Sequence, residues 1–232
     1  MSYADHAFWV ALLEIVWINI LLSGDNAVVI ALACRSLPVR QRRWGIILGT
    51  LPAVGLRIVF TIFIAYLLGI EYLKLLGGIL LLWIAVKLLL PEEQNGHGSE
   101  DGSAATLWAA VRTIVIADAV MSLDNVIAIA AAAKGSLTLL VLGLLISMPL
   151  VIFGSALILK ILDRLPILNW AGGALLGYIA GEVIVTDPAV ERWIEGLEWL
   201  HLAVPIAVAA ATVLTALAIK AQRNRKKLDL IS

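Results

Sequence analysis

The sequence predicts an all-α integral membrane protein of seven transmembrane helices, six of them forming a 3+3 inverted-topology repeat and one standing outside it. Three observations carry this. Of the 232 residues, 62% are hydrophobic and 15% charged. A soluble domain has about 45–50% and about 25%, so this chain has too little polar surface to cover itself. Seven apolar segments reach the length of about 20 residues that a bilayer crossing takes. Finally, SGDNAVVIALA, Ser23 to Ala33, recurs as SLDNVIAIAAA, Ser122 to Ala132, at an offset of 99 residues.

The seven segments lie at 8–33, 44–68, 72–90, 107–133, 137–160, 168–186 and 200–220. The first is not read as a cleavable signal, because Asp5 stands where a basic stretch is usual and the apolar run is too long. One long polar gap, PEEQNGHGSEDGSAA from Pro91, is Gly/Ser-rich and acidic and reads as a flexible linker. Its His97, with Glu92, Glu93, Glu100 and Asp101, is also weighed as a metal contact. After the sixth span, Asp187 as N-cap and Pro188 at the first helical position start a short helix. Val190, Trp193, Ile194 and Leu197 give that stretch one apolar face, as in a helix lying on the outer interface. The chain thus divides into a first three-helix repeat (1–90), an acidic cytoplasmic loop (91–106), a second, inverted three-helix repeat (107–186), an outer interfacial helix (187–199), and a seventh helix with a basic cytoplasmic tail (200–232).

Orientation follows from Lys and Arg in the loops. Eleven lie on one side: Arg35, Arg40, Arg42, Arg43, Lys160, Arg164 and five between Lys220 and Lys227. Three lie on the other: Lys74, Lys134 and Arg192. The expected location is the bacterial inner (plasma) membrane, multi-pass, with the N-terminus outside and the C-terminus cytoplasmic. With Cys34 as its single cysteine, the chain can form no intrachain disulfide and no cysteine metal cluster. No basic patch reads as a nucleic-acid surface.

The repeat is supported twice. Asn19, Ser23, Asp25 and Asn26 match Asp118, Ser122, Asp124 and Asn125. LLGGILLLWIAVK from Leu75 aligns with WAGGALLGYIAGE from Trp170 at an offset of 95. Three helices per copy is an odd number, so the second copy enters from the opposite side. In transporters built this way the substrate sits near the midplane. Asn19, Ser23 and Asn26 share a helix face by their i, i+4, i+7 spacing, as do Asp118, Ser122 and Asn125. A break at Gly24 would bring Asp25 onto that face; Leu123 holds the matching place in the second copy. A carboxylate at the bilayer centre costs about 2.5–3.5 kcal/mol. Asp25, Asp118 and Asp124 therefore need a cation, a proton or a basic partner.

Every candidate ligand is a hard oxygen, which suits Mg, Ca or Mn rather than Zn or Cu. The candidate metal residues are Asp25, Asn26, Asp118, Asp124 and Asn125, with Asn19, Ser23 and Ser122 as additional ligands. Met121, one turn from Asp118, offers either a soft contact or plain packing. Arg57, midway along the second span, is either a counter-ion for the empty site or a static partner of one Asp. Glu14 and Glu182 lie toward the outer side, either along an exit path or simply at helix ends. Crowded carboxylates cannot all stay ionised in a dry site, which makes Asp118 the expected proton-carrying group.

At these paired DN motifs the chain resembles the TerC family of bacterial membrane proteins, in its YjbE-like branch, over essentially the whole length. The resemblance implies kinship with LysE-like exporters, and roles in manganese export, metal supply to exported enzymes or tellurium resistance. It also implies Asp25, Asn26, Asp124 and Asn125 as the metal-site residues. Manganese comes from the resemblance; the residues themselves indicate a hard cation.

The expected function is therefore export of a divalent cation, Mn2+ foremost, through a midplane site, in exchange for protons. The metal is substrate; no cofactor and no enzymatic activity are expected. The partners are that ion and the lipid bilayer, with a homo-oligomer left open. A non-transporting scaffold of a metal or tellurite resistance system is the alternative. An intramembrane aspartyl protease is disfavoured, because Leu22, Ser23 and Gly24 precede Asp25 and break the GxGD pattern.

Overall fold

In a computed structural model, which describes residues 6–67, 70–90, 100–133 and 136–229, every apolar segment is helical. In chain order the helices are α1 (His6–Leu22), α2 (Gly24–Arg35), α3 (Val39–Ile62), α4 (Ile64–Leu67), α5 (Leu73–Leu89), α6 (Glu100–Ala133), α7 (Leu137–Arg164), α8 (Ile167–Val185), α9 (Pro188–Ile194) and α10 (Leu200–Asp229). No strand occurs among the described residues. Among the described residues, five helices are long and apolar enough to cross a membrane, or six if α1 and α2, bent by 50°, form one span. The expected seventh, 72–90, folds as α5 but has only 17 residues, about 26 Å at 1.5 Å per residue. By length and composition, the candidate spans among the described residues thus number five or six. Helix α6 also begins earlier than expected, taking in part of the 91–106 segment; His97, Glu92 and Glu93 lie outside the described residues.

The chain forms two compact units. The first contains α1–α4, α6 and α7. Its core joins Phe8, Ala11, Leu12 and Ile15 of α1 to Ile129 of α6 and Leu139, Leu140 and Leu144 of α7. The opposite face of α1 carries Trp9, Leu13, Trp17 and Leu21, four residues apart and each more than half exposed. Such an outward apolar stripe is unfavourable in water and appropriate to lipid. Arg42, at the start of α3, ties down the end of α7 through Asp163 at 2.5 Å. It also donates to the carbonyls of Arg35 and Leu37.

The second unit contains α5, α8, α9 and α10. Small residues let these helices approach closely. A Cβ on Gly181 of α8 would lie 2.6 Å from the Pro205 Cα of α10, and one on Gly78 of α5 would lie 2.8 Å from the Ala180 carbonyl of α8. Asp187 caps α9 as the sequence predicts, accepting from the Ala189 N–H at 2.8 Å. It has a second role that local sequence does not reveal. The same carboxylate accepts from the N–H groups of Tyr72 at 3.2 Å and Leu75 at 3.0 Å, so it also caps α5. This helps hold Tyr72 in the left-handed region, at φ 66, which non-glycine residues seldom adopt.

Burial pushes the Asp187 carboxyl up, but backbone donors at Leu75, Ala189, Tyr72 and Lys74 outweigh it and hold the group below the ordinary carboxylate range. Its contribution to stability is thus present above the unfolded-state pKa of about 3.9 and fades as pH falls through the lower folded value. Asp187→Ala is expected to cost about 1–3 kcal/mol at neutral pH, the price of leaving buried donors unpaired. Denaturation of the purified protein in mixed micelles checks this. The gap between variant and wild type should narrow in strong acid, and a gap independent of pH would contradict the capping role.

Candidate functional site

The site begins at the break expected in the first DN segment. Helix α1 ends at Leu22, Ser23 takes φ −106 and ψ 4, and α2 starts at Gly24. Asp25 is therefore in the first turn of α2, where the positive end of a helix dipole favours a carboxylate. It accepts from the Asn26 N–H at 2.7 Å. A break leaves carbonyls at the end of α1 without intrahelical partners. Asn125 supplies one donor, its Nδ2 reaching the Leu22 carbonyl at 3.1 Å. In the second copy no break forms: α6 runs unbroken through Leu123, Asp124 and Asn125. Leucine is a good helix former, and nothing there interrupts the ladder.

Glycine is not what makes the first break. A Cβ on Gly24 would meet nothing within 4 Å, and its φ is not positive. Gly24→Ala should therefore leave stability unchanged or raise it by about 0.4–1 kcal/mol. Asn125→Ala should lower it by about 1 kcal/mol by orphaning the Leu22 carbonyl. The same denaturation assay ranks the two variants, and the reverse order would refute this account of the break.

The polar stripes of α1 and α6 do converge, and Arg57 of α3 fills the space between them. Its Nη2 lies 2.5 Å from Asp118 Oδ1, and its Nε donates to Ser122 Oγ at 3.0 Å. Its Nη1 donates to Asn19 Oδ1 at 2.8 Å and Ser23 Oγ at 3.4 Å. These acceptors form two repeat-matched pairs, Asn19 with Asp118 and Ser23 with Ser122. Ser122 Oγ also donates to Asp118 Oδ2 at 3.2 Å. All five side chains are buried. The Asn19 amide extends the network to Ser147 Oγ on α7, a buried residue that sequence reading missed. Beside the cluster is a cavity of about 20 Å³, lined by Asn19, Ser23, Thr50, Arg57, Asp118 and Met148 among others. That is room for about one water-sized species. Met148, not the buried Met121, faces this space.

Asp25 and Asp124 are half-buried. Asp25 is within electrostatic reach of Arg57 and Asp118. Asn26 is buried, and neither its Oδ1 nor its Nδ2 has a hydrogen-bond partner. The expected meeting of three carboxylates is not found. Among the described residues, no three of His, Cys, Asp and Glu are grouped to hold a metal. Arg57 instead sets its charge against Asp118 at the centre of the cluster. Glu14 and Glu182 are exposed.

The sequence profile of the integral membrane protein TerC family matches residues 4–224. The chain belongs to the TerC family. The TerC match takes in every residue of the Arg57 cluster and both DN pairs. The uncharacterized membrane protein YjbE of Bacillus subtilis is 44% identical over 213 residues, 92% of this chain and 96% of its own. YceF of the same organism, also an uncharacterized membrane protein, is 26% identical over 183 residues, 76% of this chain and 71% of its own. The UPF0053 inner membrane protein YoaE of Escherichia coli is 35% identical over 140 residues, 53% of this chain but 27% of its own. No solved structure matches the chain at a significant level.

Proposed function

We propose that this TerC-family protein exports a divalent cation, Mn2+ foremost, through the oxygen-lined cluster between α1/α2, α3 and α6. The observation that carries the reading is the cluster itself. Side chains matched between the two copies converge beside a small cavity, in a helical protein whose outer face suits lipid. Such groups are costly to bury in a membrane and mark ion pathways when they occur. The ligand atoms available are hard oxygens, which suit Mn, Mg or Ca. Asn26 Oδ1, buried and unpartnered, is a ligand oxygen free for a cation. Asp25, Asp118, Asp124 and Asn125 complete the proposed set, with Asn19, Ser23 and Ser122 as additional ligands.

The reading includes an inverted repeat. Support comes from corresponding helices packing on one another: α1 and α2 on α6, α3 on α7, and α5 on α8. A broken helix at the site fits transporters of that design. The proposed setting is the bacterial inner membrane, with the C-terminus cytoplasmic. The test is cellular metal content with and without the protein, measured across Mn, Mg, Ca, Fe, Co and Zn. Lower Mn in producing cells is expected. Unchanged content of every metal would favour the scaffold reading.

A further inference from the structure

We propose that Arg57 is a tethered stand-in for the transported cation: its guanidinium occupies the oxygen cluster when the protein is empty, and each arriving metal ion displaces it. This deepens the export reading and rests on it. The guanidinium is bound by Asn19, Ser23, Asp118 and Ser122. Asp118 belongs to the proposed metal set and Asn19, Ser23 and Ser122 are its additional ligands, so Arg57 and the metal compete for the Asp118 carboxylate and the oxygens around it.

Burial makes a stand-in necessary. Asp118 is 7% exposed, and a buried charge left unpaired is strongly unfavourable. A transporter that releases its metal must still satisfy Asp118 on the return step. Asp25, half-buried, lies at a helix N-terminus whose dipole favours a carboxylate; Asp118 has Arg57. A charged side chain on a long flexible stem does this without an ion from solution. Two features then find a use. The cavity of about 20 Å³ beside the guanidinium gives an incoming ion a place to land while Arg57 is still in position. The Asn26 amide, with neither atom partnered, is a ligand left idle until the metal replaces the guanidinium.

The contrary possibility is that Arg57 is a permanent staple between α3, α1 and α6. The two differ in what happens when its charge is removed. A competitor that is removed lets the metal bind more tightly and leave more slowly. A staple that is removed only loosens the site. The experiment uses the full chain, purified in detergent and reconstituted in liposomes, with MnCl2 as probe and NaCl and MgCl2 at matched ionic strength as controls. For Arg57→Gln, the apparent Mn2+ affinity from thermal-shift titration should tighten by at least about fivefold, the low end of coupling between linked sites. Mn2+ flux should fall at the same time. Should Arg57→Gln fail to fold, Arg57→Lys decides, because it keeps the charge but loses the forked geometry. It too should bind Mn2+ more tightly than wild type. If wild type neither binds nor moves Mn2+, the export reading falls and this inference with it. If wild type moves Mn2+ but the folding variant binds it no more tightly, the stand-in role alone is overturned.

Discussion

Asp118→Ala is expected to destabilise the protein by about 3–5 kcal/mol, because it leaves the Arg57 guanidinium buried without a counter-charge. The double variant Asp118→Ala with Arg57→Met should recover most of that loss, since replacing both members of a buried pair with apolar groups is often neutral. The structure motivates both expectations. Arg57 and Asp118 meet at 2.5 Å with side chains 5% and 9% exposed, so neither is screened by solvent. A double-mutant cycle in mixed micelles measures the coupling directly. A single variant within about 1 kcal/mol of wild type, a value typical of exposed pairs, would mean that the pair is not buried in the membrane-embedded protein.

Asp25→Asn is expected to reduce Mn2+ export at least tenfold while leaving insertion and expression intact, and Asp124→Asn to do the same. Losing even an outer-shell partner of a metal costs about 10–100-fold, and a ligand should cost no less. The exchange keeps shape nearly constant and removes one negative charge. The two positions are not equivalent in the fold. Asp25 heads a helix after a break, within reach of Arg57 and Asp118; Asp124 sits in an unbroken one. If either variant protects cells from manganese as well as wild type at equal expression, that carboxylate is not a required ligand.

The helices were legible because lipid imposes a strict rule on sequence. A spanning segment must be apolar and of a minimum length, and an Asp or Arg within one stands out against it. This is why Asn19, Ser23, Arg57, Asp118 and Ser122 could be singled out, and why Asp187 with Pro188 read as a helix start. The pairings were not legible. Asp187 meets Tyr72 across 115 positions, and Asn19 meets Ser147 across 128. Nothing local announces either, and a lone serine in an apolar helix ordinarily bonds its own backbone, as Ser147 also does to Leu144. Symmetry of sequence also overstated symmetry of structure. The two DN pairs look alike, yet one follows a break and the other does not, and Asn125 spends its amide on the partner helix. Three carboxylates were expected to gather; the structure sets an arginine against one of them.

The central claim is that this TerC-family protein moves a divalent cation through the Arg57 cluster. The most direct measurement is Mn2+ flux into or out of liposomes containing the purified wild-type protein, read with a metal-sensitive dye beside protein-free liposomes and liposomes carrying Asp25→Asn. Flux with wild type should exceed the protein-free rate and be lost in the variant. Flux equal to that of protein-free liposomes, from wild-type protein shown to be folded, would contradict it.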